Sequence, residues 1–314
     1  MMIDYTFASA LLSTKTASLL NKAQFRELRN TDDDGFLLKL QSFGYGLGDK
    51  STTVEAIVAS EILKLKEELL EIMPHDDLPS FFFSKFDLTN IRAFYKKKLF
   101  KASTGPYEEA GFLDEKVLSK AIFNDDYYAL QEPYKQLISN TANRVFDSAQ
   151  SLVTFLEQTF QALLHDFILM RNDPSLTKYF VISTDINNLM TLLRAEKLKL
   201  STEQLKNSLL DFGSITPEEI AKLLNVSKRE VVARYTTLYL TRFSEPLEAF
   251  YEDGDFANLE HALIKFLLDE LSNEAVDIKA CATIIIYVIR KQIEVIDIRR
   301  LYLYRGCNLL VEAL

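Results

Sequence analysis

The 314-residue chain sets 36 Lys and Arg against 45 Asp and Glu, a net charge of −9, so its surface repels phosphate backbones and nucleic acid is a poor default partner. Its hydrophobic fraction of 48% is that of a folded globular protein and excludes broad disorder. Nine Gly and seven Pro are too few for the turns of a β-rich fold, which leaves an all-α chain as the expectation.

Asp4 stands where a secretory leader would be basic, and Lys15 interrupts any apolar run, so a signal peptide is not expected. Tyr5 to about Leu28 carries helical apolar spacing, and Asn30 to Gly35, with three consecutive aspartates, is expected to be a solvated turn. Thr52 and Glu55 have the spacing of a capping box opening the next helix. Gly46-Leu47-Gly48 is too short for a phosphate loop and has no following Gly-Lys-Ser/Thr. Phe81, Phe82 and Phe83 could form a strand, but are expected to pack where a linker meets the helix that carries Asp87. Lys96-Lys97-Lys98 would close that helix, where cations meet the partial negative charge of its C-terminus; phosphate binding is the alternative use of those lysines. The longest periodic segment is Asn143 to Arg171, stopped by Asn172-Asp173-Pro174. Ser227 to Phe243 follows, ended by Glu245-Pro246, then Leu259 to Leu271 and Val276 to Lys291. The most apolar window, Ala280 to Ile289, is closed by Arg290 and Lys291, well short of the ~20 residues that span a bilayer. Cys281 and Cys307 are the only cysteines, too few for a disulfide framework and consistent with a reducing compartment.

One short design occurs three times. An acid is followed three residues later by Asn or Asp: Asp87 and Asn90, Asp185 and Asn188, Glu294 and Asp297. Apolar residues sit four, seven and eight positions beyond each acid, on one helical face: Ile91, Phe94 and Tyr95; Leu189, Leu192 and Leu193; Ile298, Leu301 and Tyr302. The acids are separated by 98 and 109 residues. A second anchor repeats with nearly the same offset: the stretches Gly111–Leu118 and Gly213–Ile220, their glycines 102 residues apart, each pair a glycine with a capped helix start. Each glycine is expected to close one helix before the next begins. The repeat divides the chain into three related lobes, approximately residues 1–125, 126–226 and 227–314.

Catalytic signals are weak. His75, His165 and His261 have no second ligand at helical spacing, and no nucleophile elbow or dinucleotide fingerprint is present, so no catalytic, cofactor-binding or metal-binding residue is assigned. Adjacent acids such as Asp125 and Asp126 would point apart on a helix. Thr216 to Val231 imitates a helix-turn-helix that would offer Lys228, Arg229 and Arg234 to DNA. Against that stand the acidic chain and the counterpart of this segment at Gly111–Leu118. The three acid-x-x-Asn/Asp helices remain, either holding each lobe together or lining a shared inner face toward a partner.

In order and spacing the repeats resemble the C subunit of bacterial and archaeal rotary ATPases of the vacuolar type, known as the d subunit in the eukaryotic enzyme. The resemblance rests on Tyr5-Thr6-Phe7-Ala8, the three acid motifs, Gly111 and Gly213, and Glu294-Val295-Ile296-Asp297-Ile298-Arg299. It covers essentially the whole chain. The sequence departs from the pattern at Asp297, where Asn is expected, and at Met190, where the other copies have Arg92 and Arg299. The resemblance implies an all-helical, three-lobed funnel with approximate threefold symmetry, no catalytic site and no cofactor. It implies a place on the cytoplasmic face of a membrane rotor ring of proteolipids, accepting the D and F subunits of the central stalk, with the membrane stator as a further candidate partner. Asp87, Asn90, Arg92, Asp185, Asn188, Glu294, Asp297 and Arg299 are then the candidate socket residues. The rival readings are a helix-turn-helix DNA binder and an unrelated helical-repeat scaffold.

Overall fold

A computed structural model describes residues 5–46, 53–275 and 281–304. These residues form fifteen helices and no strand, so the all-α expectation holds among them. They belong to two compact units: one comprises Met1–Phe82 together with Leu271–Leu314, the other Phe83–Glu270.

In the first unit α1 (Thr6–Thr16), α2 (Lys22–Arg29), α3 (Asp33–Ser42) and α4 (Val54–Ile72) join α15 (Ala282–Leu303). The expected single helix over residues 5–28 is broken. Asn21 accepts from the N–H groups of Ala23 and Gln24, and Gln24 reciprocates, so a capping box starts α2 afresh. The turn at residues 30–35 is shorter than expected, because Asp32 caps α3 by accepting from Gly35 N. Thr53 caps α4; Thr52 of the expected capping box lies outside the described residues, as do Gly48, Cys307 and the expected helix start at Val276. Leu28, Phe36, Leu40, Ile57, Ile298 and Leu301 form the unit's core, so the chain's two ends bury their apolar faces together.

The second unit holds most of α5 (Leu78–Phe100), then α6 (Glu115–Asn124), α7 (Tyr134–Ala142), α8 (Ala149–Arg171) and α9 (Pro174–Leu198). It continues through α10 (Thr202–Ser208), α11 (Pro217–Leu223), α12 (Lys228–Tyr239), α13 (Thr241–Asp253) and most of α14 (Phe256–Glu274). Phe81, Phe82 and Phe83 are helical and buried, since α5 begins at Leu78; no linker separates them from the Asp87 motif. The long periodic segment starts at Ser148, whose hydroxyl caps α8, and α7 ends before it at Ala142. Pro246 lies inside α13, because the preceding helix has already stopped at Leu240, held at φ 60° and ψ −166°. Leu88, Ile91, Tyr95, Leu118, Ile138 and Leu156 anchor one core of this unit.

Candidate functional site

The three acid motifs lie in unit interiors, those on α5 and α9 in the second unit and that on α15 in the first. Asp87, Asn90, Asp185, Asn188, Glu294 and Asp297 are all buried, none more than 4% exposed. Burial of six such groups demands partners, and each helix finds them in a loop.

On α5, Asp87 Oδ1 accepts from the N–H groups of Phe112 (2.8 Å) and Leu113 (2.9 Å), while Oδ2 accepts from the Tyr134 hydroxyl at 2.8 Å. One turn on, Asn90 holds the same loop in both directions: its amide donates to the Glu108 carbonyl and its oxygen accepts from Glu108 N, both at 2.9 Å. Gly111 is required by this approach, since a Cβ there would overlap Asp87 Oδ1. Burial pushes the Tyr134 phenol up, reinforced by the Asp87 charge, so the hydroxyl remains a donor at neutral pH.

The arrangement on α9 is the same. Asp185 accepts from Ser214 N, at 2.9 Å to Oδ1 and 3.1 Å to Oδ2, and from the Tyr239 hydroxyl at its Oδ2. Asn188 donates to the Leu210 carbonyl and accepts from Leu210 N, both at 2.8 Å. A Cβ on Gly213 would overlap Asp185 Oδ1. Burial raises the Asp185 carboxyl, opposed by the bonds from Tyr239 and Ser214.

On α15 the loop comes from the other end of the chain. Glu294 Oε1 accepts from Leu20 N at 2.6 Å, in the break between α1 and α2. Tyr45 lies beside Glu294 in the position corresponding to Tyr134 and Tyr239, its phenol pushed up by burial and then by the Glu294 charge. Glu294 Oε2 also accepts from Lys291 at 2.9 Å, and Lys291 bridges to Glu61 at 2.8 Å over the Tyr45 ring. Asp297 cannot donate as Asn90 and Asn188 do; its own-helix ion pair with Arg300 is long, at 3.7 Å.

The remaining two candidates differ. Arg92 is partly exposed and pairs with Glu157 at 2.6 Å, its other nitrogen reaching Thr89. Arg299 is exposed on α15 and makes no ion pair or hydrogen bond with any described residue. Ile296 and Leu303, both exposed, share its face, opposite Glu294 and Asp297. At the Arg position of the second copy, Met190 is buried.

Two features expected from the sequence take a different form. Neither Gly111 nor Gly213 closes a helix: each sits in an irregular loop, making room for a carboxylate. The helix-turn-helix imitation is α11 and α12, whose second helix delivers Tyr239 to Asp185. Two of its three cations are engaged locally, Arg234 with Glu219 at 3.7 Å and Lys228 over the Tyr251 ring, while Arg229 is exposed. The three tyrosines escape the sequence pattern, because they lie far from their acids in the chain. Aligning the two glycine anchors would find Tyr134 and Tyr239, which follow them by 23 and 26 residues.

No group of three or more His, Cys, Asp or Glu side chains that could hold a metal occurs among the described residues. Nor is any helix among them long and apolar enough to cross a membrane.

This repeated architecture is matched by known sequences. The family described as ATP synthase (C/AC39) subunit matches residues 8–302, and the chain belongs to that family. It is similar to the C subunit of the A-type ATP synthase of Thermococcus onnurineus, 23% identical over 94% of this chain and 84% of the relative. The same protein of Thermococcus kodakarensis is 22% identical over 99% of this chain and 89% of the relative. That of Desulfurococcus sp. is 24% identical over 94% and 85%.

Proposed function

We propose that the chain is the non-catalytic rotor component of an A- or V-type ATPase, coupling the D and F subunits of the central stalk to the membrane ring on its cytoplasmic face. The observation that carries this reading is the family match over nearly the whole chain, shared with relatives named as the C subunit of an A-type ATP synthase. The clamps fit the task. A torque-bearing adaptor must not yield, and each clamp fastens a loop to a helix through buried hydrogen bonds whose loss is costly.

In this reading the chain comprises three equivalent lobes, and the third is completed by the N-terminal segment that supplies Leu20 and Tyr45 to Glu294. The buried Asp, Asn and Glu groups set the shape of each lobe, while partner contact falls to outward-facing groups such as Arg299 and Arg92. Paired with acidic groups of the stalk, they would fix register.

The experiment is depletion of the chain from membranes carrying the complex. Loss of ATP-driven ion uptake with retained ATP hydrolysis by the catalytic head is expected; uptake undiminished by depletion would refute coupling. Arg299→Glu and Arg92→Glu should each weaken association with the purified stalk proteins, and unchanged affinity in both would remove them from the contact.

A further inference from the structure

We propose that the hollow at the C-terminal end of α5 binds the phosphodiester headgroup of an anionic phospholipid. Lys96, Lys97, Lys98 and Lys101 fall within six residues of a chain whose net charge is −9. Lys97, Lys98 and Lys101 line one hollow of about 500 Å³, together with Ala102, Ser103 and Phe123. The backbone gathers them there. At Lys101 the chain leaves the helix at φ 56°, and Ala102 N returns to the Lys96 carbonyl at 3.4 Å, folding Lys101 back beside the last helical turn.

The charges in this hollow are poorly compensated. Lys98 is pinned, donating to the Ile122 carbonyl at 2.5 Å and to Asp125 at 3.1 Å. Lys101 reaches a single backbone carbonyl, that of Lys98, at 3.4 Å. Lys96 and Lys97 have no hydrogen bond or ion pair among the described residues, and both Lys97 and Lys101 are exposed. A helix C-terminus carries roughly half a negative charge. That charge and Asp125 together leave about half the charge of the three lining ammonium groups unbalanced, before Lys96 beside them is counted. The excess calls for an external anion, and the Ser103 hydroxyl adds a neutral donor at the rim.

The walls select the kind of anion. Phe123, 37% exposed, and Ala102 line the hollow beside the cations. Free phosphate gains nothing from an aromatic ring and a methyl group, whereas a phospholipid presents glycerol and the start of its acyl chains directly behind the phosphate. Cations that take the headgroup and apolar side chains that enter the boundary below it form the pattern of an interfacial contact. The site stands on this hollow alone and requires no rotary complex.

Flotation of the full chain with vesicles tests it. Vesicles of phosphatidylcholine with one quarter phosphatidylglycerol should carry the protein upward, and pure phosphatidylcholine should not. Lys97→Gln/Lys101→Gln should weaken vesicle binding on the order of 20-fold, about five-fold per lysine. Lys97→Arg/Lys101→Arg should keep it. Lys116→Gln/Lys222→Gln removes the same charge from lysines elsewhere and should change it little. Equal loss in the two Gln pairs would show attraction by overall charge only and overturn the site. So would an absence of flotation, or protection of the fold by inorganic phosphate without vesicle binding.

Discussion

Asp87 Oδ1 occupies the space in which a side chain on residue 111 would begin, and it is held there by the N–H groups of Phe112 and Leu113. The carboxylate and the missing side chain are therefore one device: the glycine exists so that the acid can reach the backbone beyond it. Asp185 and Gly213 repeat the relationship. Gly111→Ala and Gly213→Ala should each cost about 2–3 kcal/mol, because the new methyl group must displace a buried hydrogen-bonded carboxylate. Gly105 has open space around it, and Gly105→Ala should stay within about 0.5 kcal/mol. Urea midpoints of the three variants check this ordering.

The asparagines hold one peptide unit by both of its polar groups, and only an amide can do so. Asn90→Asp and Asn188→Asp keep the size of the side chain but present an acceptor to the carbonyls of Glu108 and Leu210. A loss of about 1–3 kcal/mol is expected in each, since a buried carbonyl loses its donor. Stability equal to the parent chain would mean the loop is held by the acid alone.

Asp185 gives the second unit a distinct response to pH. Burial raises its folded-state carboxyl above the ordinary value, so the protonated form is favoured in the fold. Its contribution to stability is fully present below the unfolded pKa, about 4, and is lost as pH rises through the raised folded pKa. Asp185→Asn removes that dependence. The stability difference, parent minus variant, should therefore fall as pH increases from about 4. A difference that rises over the same range would reverse the sign of the burial argument.

Leu240 is held in a backbone region that essentially only glycine enters, and its side chain is 70% exposed, so little packing compensates the strain. Leu240→Gly should stabilise the chain by about 0.5–2 kcal/mol, the relieved strain exceeding the added entropy of the unfolded glycine. Thermal melting measures it, and a lowered Tm would locate compensating contacts at the leucine.

Much of this is legible in the sequence, and the limits have physical causes. The scarcity of Gly and Pro points to the helical class, and the spacing after each acid places Ile91, Leu189, Leu192, Leu193, Ile298 and Leu301 on faces that the fold buries. Periodicity cannot tell a buried hydrogen-bonded carboxylate from one presented to a partner, because both ride the same helical face for part of a turn. It also cannot see the third clamp, whose halves stand at residues 20 and 294 and meet only in the fold. The helix interruptions at Asn21 and Leu240 escape it for opposite reasons. The first is set by a capping box inside an otherwise continuous apolar pattern, the second by a strained leucine that propensity would never nominate. Pro246 looks like a stop and is carried within α13.

The most direct measurement is affinity purification of the tagged chain from detergent-solubilised membranes of its own cells, with the recovered proteins identified by mass spectrometry. A rotor component should bring with it the D and F subunits of the stalk and the proteolipids of the ring in constant proportion. Recovery of the chain alone, or with nucleic acid or unrelated helical partners and neither stalk nor ring, would contradict the rotary assignment.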